Sequence, residues 1–231
     1  MSYDWKKNKE YGILLKEKFN LERLPVAIKF IKKESDVPES IPKIDEKLRH
    51  CEMITKAADG EVFYSTDKEQ ACKGGAGAIH INTEPVPEKI LNGEFYYKLG
   101  RFESLEVGKS VADALPRIKE FNEAIIYSPL EKAEFEADAL VIIGLPIQGM
   151  KLAQAIVYND QSRVEADFSG IQSLCADAVA RPIITKTPNM TLACDGSRNY
   201  AKIKEEELIV GFANENIQPL IDAVQKLYEK E

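Results

Sequence analysis

The chain has 231 residues, 44% hydrophobic and 30% charged, long enough to bury a full core. With 31 basic against 38 acidic residues its net charge is −7, and no basic stretch is interleaved with aromatics, which argues against a nucleic-acid surface. No run approaches the roughly 18 apolar residues of a membrane span, and the start, Met1 to Lys7, lacks a signal peptide's apolar stretch; a cytoplasmic protein without membrane or nucleic-acid partners is expected.

Helical spacing of Tyr11, Leu14, Leu15 and Phe19 predicts a first helix ending near Asn20. Val26 to Ile31 reads as a short strand, Lys32 to Pro42 as a loop, and Cys51 falls on a helix. Glu61 to Thr66 is strand-like. After Cys72 the small residues Gly74, Gly75, Ala76, Gly77 and Ala78 lead into an apolar strand, Ile79 to Ile81. From Pro87 to Leu115 a helical pattern is broken by Gly93, Gly100 and Gly108 into two or three short helices. Ala124 to Tyr127 and Ala139 to Ile143 are continuous apolar runs, expected for strands covered on both faces. The second leads through Pro146 into helical spacing at Ala153, Ile156 and Val157. Further strands are expected near Arg163 to Phe168, Met190 to Ala193 and Leu208 to Phe212, with the Cys175 helix between the first two. A last helix carries Ile217, Leu220, Ile221, Val224, Leu227 and Tyr228 on one stripe, with Pro219 placed in its first turn.

One pattern occurs twice. Ala71 follows Cys51 by twenty positions and opens Ala71-Cys72-Lys73-Gly74; Ala193 follows Cys175 by eighteen and opens Ala193-Cys194-Asp195-Gly196. All four cysteines belong to these two copies. The order strand, cysteine helix, strand, Ala-Cys-x-Gly, strand, Asn, helix describes residues 25–93 and 137–231 alike, with Asn82 and Asn214 at matching caps and 94–136 as a joining segment. The expectation is a single α/β domain, with α+β as the variant, built on a mixed sheet with helices whose two similar halves are related by a pseudo-twofold.

Cysteine chemistry usually decides where cysteine is placed, and structural disulfides are rare in a reducing cytoplasm. Cys51, Cys72, Cys175 and Cys194 are therefore candidate metal ligands. Their wide spacing matches neither a zinc knuckle nor a ferredoxin run, so tertiary structure must gather them, which favours a [4Fe-4S] cluster between the halves over zinc. Gly74, Gly75 and Gly196 would let backbone N–H groups approach the sulfurs. Ser197 and Arg198, beside Cys194, make a candidate cradle for a small anion. His50 and His80, the two histidines, are further candidates for ligation or proton transfer. The expected role is electron transfer, cluster handling or small-anion chemistry, with a redox protein or a small anion as partner and a homodimer as one assembly. The alternative is a binding module with buried or zinc-bound structural cysteines.

Pro25 to Phe30, the Cys51 helix, the Cys72-x-Gly segment, Gly93 to Gly100, Cys175 to Pro182 and Cys194-x-Gly-Ser-Arg198 together resemble the domain-of-unknown-function family 169 of archaea and many anaerobic bacteria. The resemblance covers almost the whole chain. It implies one domain in a cytoplasmic setting and names no reaction.

Overall fold

The computed structural model describes residues 3–158 and 163–229. Helix α1 (Asn8–Phe19) buries Tyr11, Leu15 and Phe19 on one stripe and ends where Asn20 turns left-handed at φ 50°. Next come β1 (Val26–Ile31), α2 (His50–Ala58), β2 (Phe63–Ser65) and α3 (Lys73–Ala78). The glycine-broken stretch gives three short helices, α4 (Glu88–Leu91), α5 (Glu94–Lys98) and α6 (Leu105–Ala114). Strands β3 (Ala124–Pro129) and β4 (Ala139–Gly144) follow, then α7 (Pro146–Ile156), whose Pro146 occupies the first turn, where a missing N–H costs nothing. A π-helix (Ser173–Ala180) runs into α8 (Arg181–Thr185); β5 (Asn189–Thr191), α9 (Asp195–Tyr200), β6 (Leu208–Ala213) and α10 (Asn214–Leu227) complete the order.

The six strands form one sheet in the order β2-β3-β1-β4-β6-β5, antiparallel at every pairing. The α/β expectation holds. β3, β4 and β6 are buried along their whole length, because each face of the sheet is covered by helices. On one face α2, α3 and the π-helix pack on Val26, Ile28, Ile125, Tyr127, Val141 and Ile209. The other face packs Ala27, Leu140, Ile142, Val210 and Phe212 against α1, α7 and α10. Period-two alternation along each strand divides the two cores.

The registers repeat on either side of the central β1–β4 seam. Val26 pairs with Pro129 and Ile31 with Ala124; Ala139 pairs with Ala213 and Gly144 with Leu208. Phe63 pairs with Tyr127 and Ser65 with Ile125; Asn189 pairs with Gly211 and Thr191 with Ile209. Both outer strands, β2 and β5, are three residues long, and β2 is bordered by a parallel bridge from Lys43 to Tyr64.

Four local expectations change. Ile79 to Ile81 is no strand: His80 takes a φ of 48° there and the two isoleucines point into the core. The strand that pairs with β1 as β6 pairs with β4 is β3, in the segment read as a joiner. Residues 163–168 are irregular; the Asp167 N–H donates to the Asn189 side chain rather than to a ladder. Asn82 donates to the carbonyl of Glu84 within a loop, and Ala213, not Asn214, is the N-cap of α10. That helix begins early enough to put Pro219 in its second turn, where the ring removes the N–H that would reach the carbonyl of Glu215. Among the described residues no helix is long and apolar enough to cross a membrane.

Candidate thiol site

The four cysteines fall at two kinds of place, two inside the first turn of a helix and two at helix N-caps. Cys51 is the second residue of α2 and Cys175 the third of the π-helix; Cys72 and Cys194 are the N-caps of α3 and α9. All are free thiols. An N-cap side chain faces the unpaired N–H groups of the first helical turn, and a sulfur there is held by them. The Gly75 N–H donates to the Cys72 sulfur at 3.3 Å. At the equivalent position of α9, Ser197 accepts the Cys194 N–H at 2.9 Å, and its hydroxyl lies 3.5 Å from the Cys194 sulfur and 3.2 Å from the Ser173 hydroxyl. The Cys175 thiol donates to the carbonyl of Gln172 at 3.3 Å.

The four groups share one neighbourhood on the α2 and π-helix face of the sheet. Burial pushes the Cys51 thiol up to about 12, and the nearby Cys194 and Cys72 add to the rise. Burial also holds Cys175 well above the ordinary thiol range, with Cys72, Cys194 and Cys51 each contributing. Gly75 sits between the halves: a Cβ there would lie 3.6 Å from the Cys72 sulfur and 3.8 Å from that of Cys175. A Cβ at Gly196 would lie 3.8 Å from the Cys194 sulfur. Gly74 instead faces the Gln172 amide and Ile90. So Gly75, Gly196 and Ser197 line the thiols, and Gly74 supports the wall beside them. A single zinc would need every ligand sulfur about 2.3 Å from one point. Among the described residues no three His, Cys, Asp or Glu side chains are grouped closely enough to hold one metal ion.

Arg198 turns away from this neighbourhood. Its guanidinium donates to the carbonyls of Lys204, of Leu192 at 2.6 Å and of Glu207 at 3.5 Å, closing the loop between α9 and β6 rather than offering a free anion cradle. His50 is buried, its Nδ1 2.8 Å from the Tyr127 hydroxyl, and burial drops its pKa to about 3; Nε2 has no partner. His80 bonds the carbonyl of Lys119.

Sequence reasoning missed three residues. Tyr96 of α5 accepts a 2.8 Å hydrogen bond from Gln172 and lies within electrostatic reach of Cys175, Cys72 and Cys194, so α5 stands beside the thiols. Gln172 itself sits at a left-handed φ of 50° at the head of the π-helix. Asp177, two residues after Cys175, is buried and its carboxyl is pushed up to about 8, burial being the main cause; it accepts from Thr191 at 3.1 Å. These contacts bridge distant segments and leave no local pattern; only the Gly93 to Gly100 stretch pointed towards Tyr96.

The family model of DUF169, described as an uncharacterised ArCR family, matches residues 14–223. The chain belongs to the DUF169 family. A relative, an uncharacterized protein of Methanocaldococcus jannaschii, MJ0308, is 43% identical over 212 residues, covering 91% of this chain and 91% of its own. No solved structure matches this DUF169 chain.

Proposed function

We propose that this protein binds an iron-sulfur cluster of the [4Fe-4S] type through Cys51, Cys72, Cys175 and Cys194, two ligands from each of two copies of one ancestral unit. The observation that carries the reading is that thiols from four separate elements share one face of the sheet within electrostatic reach of one another, with Gly75 standing between the Cys72 and Cys175 sulfurs. Four thiolates set close together, Cys175 buried and the other three partly so, would repel one another; a cationic centre removes that cost and deprotonates its ligands outright. A cluster spreads its ligands more widely than one ion can, which makes it a better match than a single zinc to cysteines drawn from four elements.

The donor set fits. Gly75 and Gly196 leave beside the sulfurs the volume that a side chain would fill, and the Gly75 N–H and Ser197 hydroxyl supply hydrogen bonds of the kind that tune a cluster. When bound, the cluster would accept and release single electrons. The chain's own contribution is to hold Cys72 and Cys194 at helix N-caps and Cys51 and Cys175 in the first turns of α2 and the π-helix, with Tyr96 of α5 beside them. Electron transfer or cluster handling, with a redox protein or small anion as partner in a reducing cytoplasm, is the role we assign.

The test is iron, sulfide and zinc content, with a visible spectrum, of protein purified without oxygen. About four iron and four sulfide per chain, lost on each single Cys→Ser change, is the expected outcome. Colourless, iron-free protein, or stoichiometric zinc, would overturn the reading.

A further inference from the structure

Two side chains beside the thiols hold more hydrogen-bond donors than their neighbours accept. Tyr96 of α5 packs on the core that contains Cys175, as Cys51 does, and its hydroxyl accepts the Gln172 amide at 2.8 Å. Gln172 is tied to the thiols through its backbone as well, since its carbonyl accepts the Cys175 thiol at 3.3 Å. It is 7% exposed and keeps a left-handed φ of 50°, a conformation that residues with a side chain rarely hold and that gathers at functional sites. Its amide lies against Gly74, where a Cβ would come within 3.3 Å of Nε2.

The pair carries three polar hydrogens, two on the amide and one on the phenol. As the groups stand, the amide donates to the Tyr96 oxygen, while the phenol hydrogen has no acceptor and the Gln172 Oε1 no donor among the described residues. Turning the amide over would join those two and strand the amide hydrogens instead. Either way a donor is left over, and a donor withdrawn from water is costly until something accepts it. Sulfur is the acceptor at hand. Cys175, Cys72 and Cys194 lie within electrostatic reach of the phenol, and burial holds its proton well above the ordinary phenol range, so Tyr96 stays a neutral donor.

We propose that the Tyr96–Gln172 pair donates a hydrogen bond to a sulfur of the bound [4Fe-4S] cluster and thereby sets its reduction potential. This rests on the cluster reading. A hydrogen bond at sulfur offsets the negative charge that reduction adds, so the pair holds the potential above the value the four cysteines alone would give.

The experiment is an anaerobic redox titration of the full chain carrying its cluster, with iron counted in every sample. Tyr96→Phe retains the ring and loses the O–H; it should keep the wild-type iron content and lower the potential by about 59 mV, a tenfold change in the reduced-to-oxidised ratio for one electron. Gln172→Leu, which frees the phenol from its amide, should shift it the same way. A ring that only packs would leave the potential in place. If Tyr96→Phe loses its iron, 3-fluorotyrosine at position 96, close to the native ring in size and a stronger donor, should raise the potential. An unchanged potential in iron-replete Tyr96→Phe, or no rise with the fluorinated ring, would overturn this proposal and leave the cluster standing. Iron-free wild-type protein would overturn both.

Discussion

A methyl group on Gly75 would make only ordinary contacts, at 3.6 and 3.8 Å, with two sulfurs from opposite halves of the chain. Gly75→Ala should therefore fold with a melting temperature close to wild type while its iron content after anaerobic purification falls, since the methyl occupies space beside the ligands. His50 offers a different readout. Its folded pKa is depressed to about 3, so the unfolded chain takes up a proton below about 6.5 and the native chain does not. Stability is fully present above that value and is lost as the pH falls towards 3, at up to about 1.4 kcal/mol per pH unit. Denaturant midpoints measured across this window should show a shallower acid decline in His50→Gln than in the wild type. At this scale the sequence was most legible where chemistry repeats, as in the four cysteines, and least where a side chain's partners are distant carbonyls. Arg198 beside Cys194 reads as an anion ligand until its three carbonyl acceptors are seen.

The elements around the thiols explain why equivalent positions differ in depth. Tyr127 and Gly211 hold the same register position in the two halves, opposite Phe63 and Asn189. In the first half the Tyr127 ring stacks on Phe63, with centroids 5.4 Å apart, and its hydroxyl meets His50 at the start of α2. In the second the missing side chain lets the π-helix settle on the sheet: a Cβ at Gly211 would stand 1.8 Å from the carbonyl oxygen of Ala178. Backbone cannot yield there. Gly211→Ala should destabilise the chain by about 3 kcal/mol, read as a lowered denaturant midpoint, whereas Gly100→Ala meets no neighbouring atom within 4 Å and should cost only the strain of its left-handed φ. Apolar runs announced β1, β3, β4 and β6 in the sequence. The 79–81 and 163–168 segments mislead because both are short and hydrophobicity alone cannot tell a strand from a loop with buried isoleucines or one clamped by Asn189.

Across the whole molecule, the residue order read as two like halves, 25–93 and 137–231, leaves β3 outside them, because the α4–α6 segment puts a long stretch of chain between β3 and the elements it pairs with. The β1–β3 and β4–β6 pairings follow one register pattern. With two ligands from each side, a bound cluster would cross-link α2 and α3 to the π-helix and α9, elements that already pack on one another beside the β1–β4 seam. Stripping iron with a chelator should therefore lower hydrogen-exchange protection in α2 and the π-helix together; loss in one half alone would count against a shared centre.

The sheet ends at β2 and β5, each only three residues long, and the β2 border is already taken by the chain at Pro42 to Ile44, whose backbone bonds Tyr64 on both its N–H and its carbonyl. Long bare borders are where foreign strands add and polymerise. A sheet so strongly apolar inside thus offers little template to its neighbours, and crowding many copies together should not seed fibrils from its edges.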